Sequence, residues 1–247
     1  VSGINNTLDG GAGNDIIQAK ETKVISQETK LVDTNTKLVG STTTSTYIDP
    51  IILDIDKDGI VEATAGMGID LDGDGIADGA ATGGDKMLAM SDLNGNGIID
   101  GAEVFGDQTI NPFTGQKVSA KNGFEALKEI ALSAEAATGL KIYKDGQVDV
   151  RLLKQALESK GLGTIGLIGD NNNTTLEDLG DVAAINVDDY INSENETGDV
   201  QHRQRGTYTD TSGNKWGAHD VWFVITRTFQ SAMEFIENLY NKILGRS

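Results

Sequence analysis

Residues 92–103 read DLNGNGIIDGAE, and this stretch decides what the sequence predicts for the fold around it. Oxygen-bearing side chains stand at positions 1, 3, 5, 9 and 12, and the glycine at position 6 permits the sharp turn that folds them inward. A hard cation such as Ca²⁺ takes about six to eight oxygens at once, and the carbonyl at position 7 supplies one. The stretch therefore satisfies a twelve-residue calcium loop, with predicted ligands Asp92, Asn94, Asn96, the Ile98 carbonyl, Asp100 and Glu103.

Two segments upstream, DIDKDGIVE and DLDGDGIAD, follow the same template. Both lack an acid at position 12, where Ala65 and Ala81 stand, so that oxygen must come from water or a neighbour. Only four residues separate the two frames, too few for the flanking helices of paired EF-hands, so we expect compact loop sites. The predicted ligands are Asp54, Asp56, Asp58, the Ile60 carbonyl and Glu62 in the first loop, and Asp70, Asp72, Asp74, the Ile76 carbonyl and Asp78 in the second.

Asp, Asn and Gly are also ordinary turn residues, so solvated turns without a metal are the alternative. Three copies of the pattern within about fifty residues favour metal binding. The loops hold eleven carboxylates, which would repel one another without cations. We therefore expect calcium as the cofactor and expect the folding of residues 50–107 to depend on it.

The composition agrees with a calcium protein and excludes other classes. Asp and Glu number 38 against 20 Lys and Arg, so the net charge of −18 attracts cations and repels nucleic acid and anionic membranes. The lack of cysteine excludes disulfides, thiolate zinc sites and cysteine nucleophiles. No run of about 20 apolar residues could span a membrane. The chain starts at Val1 without a signal-peptide pattern, which indicates a piece of a longer protein.

The 247 residues divide into four predicted parts. Residues 10–18, GGAGNDIIQ, fit the calcium-binding nonapeptide of a β-roll, so residues 1–18 are interpreted as the end of a repeat array; a chance glycine-rich turn is the alternative. Residues 19–48 are a Thr/Lys-rich linker that presents Lys23, Lys30 and Lys37. Residues 49–225 form a calcium-dependent module, and residues 226–247 an amphipathic helix.

The predicted fold class is α+β: a small domain rich in EF-hand-like calcium loops, with short helices and a C-terminal β-hairpin followed by a helix. NGFEALKEIALS predicts a helix with Phe124, Leu127 and Ile130 on one face, and VDVRLLKQALESKG predicts a second helix that ends at Gly161. GTYTDTSGNKWGAHDVWFVI predicts a hairpin that turns at residues 212–214. The segment around Asp145 is interpreted as a calcium loop that has lost its ligands.

The only Asp-Pro pair of the chain, Asp49-Pro50, lies directly upstream of the first loop. DPIILDIDKDG, DLNGNGIIDGAEVFGD, NGFEALKEI and RGTYTDTSGNKWGAHDVWF resemble, in the same order, the self-processing module of Frp-type RTX proteins. The similarity is strong over residues 49–107 and about 204–223. It is poor between about 135 and 200, where the further calcium loops of that family are not recognisable.

This resemblance implies that calcium folds the module and triggers scission of the Asp49-Pro50 bond, after which Asp49 can be joined through its side chain to a lysine of the same or another protein. The chemistry is reasonable, because the Asp49 carboxylate can attack its own backbone carbonyl through a five-membered ring. The module would act once, autocatalytically, on itself. The proton donor to the proline nitrogen stays open, with Tyr47, His202 and His219 unassigned.

The resemblance also implies a secreted or cell-surface protein of a Gram-negative bacterium, exported by type I secretion. Such a protein would be an adhesin or toxin-like, with a partner at the cell surface. Calcium is scarce in the cytosol and plentiful outside, so the ion would be both structure and switch. The rival function is a non-reactive, calcium-stabilised spacer or partner-binding domain, in which Asp49-Pro50 is simply the end of a linker.

Overall fold

The computed structural model describes residues 27–31, 38–169, 175–193 and 196–230, with side chains from residue 45 to residue 226. The chain divides into two units, Val1–Thr46 with Thr226–Ser247, and Tyr47–Ile225. The predicted repeat at residues 10–18, Lys23, Lys37 and residues 231–247 of the predicted C-terminal helix lie outside the described residues.

Strands dominate the described residues. The strands are β1 Gln27–Leu31, β2 Leu38–Ile48, β3 Ile51–Leu53, β4 Ala63–Ile69, β5 Gly79–Ala81, β6 Lys86–Met90, β7 Ile110–Asn111, β8 Gln116–Lys117, β9 Tyr143–Lys144, β10 Gln147–Asp149, β11 Ile165–Ile168, β12 Val182–Asn186, β13 Ile191–Asn192, β14 Val200–Asp210 and β15 Lys215–Gln230. The helices are α1 Gly123–Thr138 and α2 Val150–Lys160.

In the first unit, β1 and β2 pair antiparallel from Gln27 with Thr42 to Leu31 with Leu38. Part of the predicted linker is thus a strand hairpin, and Lys30 lies in it. At the other end, β15 continues to Gln230, so residues 226–230 are strand at the point where the sequence predicted the start of a helix.

In the second unit, one antiparallel sheet runs in the order β11-β6-β3-β15-β14-β12-β10-β9 and curls like half of a barrel. The short strand β3 lies at its centre, paired with β6 on one side and β15 on the other. The predicted hairpin at residues 212–214 is confirmed, but its arms β14 and β15 are much longer than a local hairpin and hold the sheet together.

The predicted α+β fold class is wrong, because the unit is mostly antiparallel sheet and has only two helices among the described residues. The sequence reading followed helical periodicity, which is strong in α1 and α2, and gave little weight to three-residue strands between glycine-rich loops. The two helices themselves are confirmed. Asn122 caps α1 by accepting from the Glu125 N–H at 2.9 Å, and Gly139 ends it with a φ of +77°.

Each face of the sheet carries a hydrophobic core. The first core packs α1 and α2 on one face, with Phe124 and Leu157 among its buried members. The second core lies on the opposite face under the acidic loops and includes Ile69 and Val104. Strand β3 supplies both cores in alternation, as the pleat of a strand requires. Its ends are therefore fixed from both sides.

Candidate functional site

The three predicted calcium loops adopt the same backbone turn. Position 6 of each loop is a glycine, and Gly59, Gly75 and Gly97 all have a φ of +89°, which other residues adopt only at a cost. In each loop this glycine donates its N–H to the carboxylate at position 1, at 2.7–3.1 Å. The side chain at position 5 accepts from the N–H at position 7, at 2.8–3.0 Å. All three loops therefore fold around the carboxylate at position 1.

Two groups of carboxylates come close enough to share an ion. The oxygens of Asp54, Asp56 and Asp58 lie within 4.8 Å of one another, as do those of a second group. That second group consists of Asp70, Asp72 and Asp78. The flanking segments are strands and turns rather than helices, so the expectation that these loops are compact and lack flanking helices is confirmed.

Asp54 fits a metal for a further reason. It is 0% exposed, and its Oδ1 has no hydrogen-bond partner, whereas its Oδ2 accepts from the Gly59 N–H. A buried carboxylate oxygen without a partner is costly, and a hard cation such as Ca²⁺ is a group that satisfies it. The residues of the first loop thus suit the ion that the sequence predicts.

The acid at position 12 of the third loop closes that loop. Glu103 is fully buried, and its two carboxylate oxygens accept from the N–H groups of Leu93 and Asp100, each at 3.2 Å. Burial raises the pKa of Glu103 to about 7. In the second loop, which has no acid at position 12, the Asp78 carboxylate at position 9 accepts from the N–H of position 2, Leu71, at 2.9 Å.

The segment around Asp145 is a tight turn and not a metal loop. Asp145 and Gly146 have φ values of +50° and +81° and join β9 to β10. The Asp149 carboxylate caps α2, where it accepts from the N–H groups of Arg151 and Leu152 at 3.0 and 2.9 Å. Sequence spacing alone could not separate a helix cap from a former metal ligand.

Asp49 lies at the start of the central strand and is 1% exposed. Its Oδ1 accepts from the Asp107 N–H at 2.8 Å, and its Oδ2 is buried without a hydrogen-bond partner. Gly106 presses against it, since a Cβ at this glycine would lie 2.5 Å from Asp49 Oδ1 and 2.8 Å from the Asp49 backbone oxygen. One carboxyl oxygen is therefore anchored and the other is free of hydrogen bonds.

Pro50 is held by the sheet on the side opposite to the scissile bond. Its carbonyl accepts from the Val221 N–H at 2.9 Å, which ties it to β15. The Asp49-Pro50 peptide bond is trans. The hydrogen bond to Val221 therefore fixes Pro50, and the hydrogen bond from the Asp107 N–H fixes the side chain of Asp49.

A second buried acid lies beside this bond. Asp220 is 0% exposed, and its oxygens accept from the Gly123 N–H at the start of α1 and from Trp222 Nε1, both at 2.7 Å. Burial raises the pKa of Asp220 well above its usual value. The pKa of Asp49 is also raised well above its usual value, first by burial, then by the charges of Asp220 and Asp107. Asp49, Asp107 and Asp220 thus form a carboxyl cluster, in which the buried acids favour the neutral form.

An aromatic group lies next to the cluster. The ring of Trp222 lies 5.8 Å from that of Tyr47, and the Arg203 guanidinium lies 4.0 Å from the Trp222 ring centre.

The two histidines, His202 and His219, face each other, with their Nδ1 atoms 3.0 Å apart. Burial lowers the pKa of both, that of His219 to about 4, so both imidazoles favour the neutral form, which is a poor acid.

Sequence reasoning located Asp49 and Pro50 but missed Gly106, Asp107 and Asp220. Gly106 and Asp107 lie inside the segment EVFGD, and Asp220 lies inside AHDVWF; both segments belong to the stretches that carry the family resemblance. The resemblance could therefore have drawn attention to these residues, but no spacing in the sequence shows that Asp107 or Asp220 contacts residues far away along the chain.

The fold and the site define a small module of acidic loops, two of which could hold a metal ion, with a buried aspartate ahead of a proline. The family model of the SPM domain matches residues 51–150, and this match confirms the resemblance to the self-processing module. A search of curated proteins found no match to the chain. Among the described residues, no helix is long and apolar enough to cross a membrane.

Proposed function

We propose that the module cleaves its own Asp49-Pro50 peptide bond when calcium fills its loops, and that Asp49 can then be joined to a lysine amine. The observation that carries this proposal is the state of the Asp49 side chain: buried, held by the Asp107 N–H at one oxygen, and without a hydrogen bond at the other. We further propose that the reaction takes place outside the cell or at its surface, where calcium is plentiful.

The first step is the attack of Asp49 Oδ2 on the Asp49 backbone carbonyl carbon. A carbon–oxygen bond forms in a five-membered ring, and the bond to the Pro50 nitrogen breaks with its electron pair going to that nitrogen. Because the two reacting groups are already held together in one residue, the activation free energy is much lower than for a reaction between separate molecules. The Asp107 N–H and the close contact with Gly106 limit the rotation of the carboxyl group.

The departing nitrogen needs one proton, and the carboxyl cluster is its source. Burial and neighbouring charge favour the protonated forms of Asp49 and Asp220. We assign one carboxyl proton of this pair to the Pro50 nitrogen, which leaves a cyclic anhydride at Asp49 and a free proline amine. Water opens the anhydride to the acid, whereas a lysine amine opens it to an isopeptide bond and frees the α-carboxylate.

Calcium, when bound, supplies charge neutralisation that lets the acidic loops close. Asp49 and its hydrogen-bond donor Asp107 are each close in sequence to one of these loops. Strand β3 leads directly from Pro50 to Asp54 of the first loop, and only three residues separate Glu103 of the third loop from Asp107. Ordering of the two loops therefore fixes Asp49 and its hydrogen-bond donor together.

The experiment is to purify the 247-residue chain in chelator, add millimolar calcium, and follow it by denaturing gel and intact mass. We expect fragments 1–49 and 50–247, and no fragments from Asp49→Ala. An exposed matched control, Asp189→Ala, should cleave like the wild type. Cross-linked species one water lighter than the sum of their hydrolysed parts would report ligation. A chain that becomes compact with calcium but stays intact would refute cleavage and leave the spacer function.

A further inference from the structure

The first metal loop lacks an acid at position 12, yet the structure places a carboxylate there from elsewhere in the chain. We propose that Asp85, from the turn between β5 and β6, completes this loop as a two-oxygen ligand of its ion. The ligand would be Ca²⁺ or another hard cation of similar size. This inference rests on the calcium binding of the proposed function and is independent of the cleavage step.

The third loop has its own acid at position 12, Glu103, and shows which backbone groups such an acid contacts. There Glu103 accepts from the N–H groups of loop positions 2 and 9. In the first loop, Asp85 Oδ1 accepts from the Ile55 N–H at 3.1 Å and Asp85 Oδ2 from the Glu62 N–H at 2.7 Å. Ile55 and Glu62 are positions 2 and 9 of that loop. Asp85 thus contacts the same two backbone groups as a built-in position-12 acid, although it lies 31 residues after Asp54.

The sheet brings Asp85 to this place. Leu53 pairs with Lys86 in the antiparallel register of β3 and β6, so the next residues outward, Asp54 and Asp85, lie at the same end of the pair. Asp85 is 3% exposed. The preceding turn lies against the loop, because a Cβ at Gly84 would come within 2.9 Å of Asp56 Cβ.

The ion in the first loop needs these oxygens. Without Asp85, the ligand candidates of the loop are the carboxylates of Asp54, Asp56 and Asp58 and the Ile60 carbonyl, because the Glu62 carboxylate lies against the turn at Gly83, where a Cβ would come within 1.5 Å of Glu62 Oε2. These groups supply about four or five oxygens, whereas calcium takes about six to eight. The Asp54 Oδ1 atom is buried without a hydrogen-bond partner, which independently favours the binding of a cation at this point. Two further oxygens from Asp85 bring the site into the usual range.

Terbium luminescence can test the ligand directly, because Tb³⁺ replaces Ca²⁺ and its emission lifetime in H₂O and D₂O counts bound waters. The Trp216 ring lies 5.2 Å from Lys57 Nζ, and Lys57 is position 4 of this loop, so Trp216 sensitises an ion there. The full chain would carry Asp49→Ala, which prevents reaction, and Trp222→Phe, which leaves Trp216 as the only tryptophan.

We expect about one or two bound waters at the Trp216-sensitised ion, since Asp85 fills two positions. Asp85→Asn should gain about one or two waters and weaken binding at this loop by about tenfold or more, because loss of even an outer-shell partner costs about 10- to 100-fold. Asp189→Asn, an exposed change of the same charge, should match the parent chain.

Three or more waters at this ion in the parent chain would overturn the proposal, as would unchanged affinity in Asp85→Asn. The water count needs no variant at Asp85, so it decides the matter even where Asp85→Asn does not fold. Failure of the proposed cleavage would be seen separately, as an intact wild-type chain on the gel.

Discussion

Replacing Gly106 by alanine should disable cleavage while leaving the metal loops intact. An added Cβ would lie 2.5 Å from Asp49 Oδ1, 2.8 Å from the Asp49 backbone oxygen and 3.0 Å from Cγ. All three atoms belong to the reacting residue, so the methyl group can be accommodated only if Asp49 moves away from the Asp107 N–H or the Gly106 backbone shifts. Either movement separates the two groups that hold the carboxyl in place.

The size of the effect follows from these distances. Overpacking of a tight site by one methyl group costs about 1–3 kcal/mol. If that strain is relieved by moving Asp49, the reacting geometry changes by about 1 Å, a displacement that lowers rates by about 100-fold. We therefore expect calcium-triggered cleavage to slow by about 100-fold, with a melting temperature in calcium lowered by about 2–12 °C.

The assay is the time course of fragment 50–247 after calcium addition, by gel and intact mass, with calcium stoichiometry measured by titration calorimetry. Gly169→Ala is a matched control, because its Cβ would meet only the flexible ends of Lys86 and Glu177, at 3.2 and 3.5 Å. Cleavage of Gly106→Ala at the wild-type rate would show that Asp49 does not react from the position described, and the reasoning would fail.

Two further predictions concern protons. Burial raises the pKa of Asp85 to about 6 and of Glu103 to about 7, so without calcium the folded chain binds more protons than the unfolded chain, and its stability is present at low pH and lost as pH rises through these values. In chelator, the folded fraction of the ion-free chain should therefore be larger near pH 5 than near pH 8, because protonation of these acids lowers the repulsion that calcium would otherwise remove; circular dichroism across this range measures it, and a folded fraction that rises with pH would contradict the prediction. Asp220→Asn keeps one acceptor oxygen, for the Gly123 N–H, loses the acceptor for Trp222 Nε1 and removes an acidic proton, so cleavage should slow by about 100-fold or more and its pH–rate profile should change shape, with calcium binding unaltered. A wild-type profile would remove Asp220 from the path of the proton.

The parts of the fold that sequence reasoning predicted are those set by neighbours along the chain. The loop turns follow from a glycine at position 6 and oxygens at alternate positions, and α1 and α2 follow from apolar spacing between a capping side chain and a terminal glycine. The sheet was underestimated because β3 is three residues long and gains its stability from β6 and β15, not from its own pattern.

The sequence by itself determined where oxygens can gather around an ion and which bond is chemically fragile, because both depend on residues within a dozen positions of one another. Only the tertiary structure decided what surrounds that bond. Asp107 meets Asp49 across 58 positions and Asp220 meets Gly123 across 97, and sheet pairing brings Asp85 to a loop that lacks its own closing acid. Such contacts depend on strand order and register, which arise from the burial of both sheet faces and leave no fixed spacing in the chain.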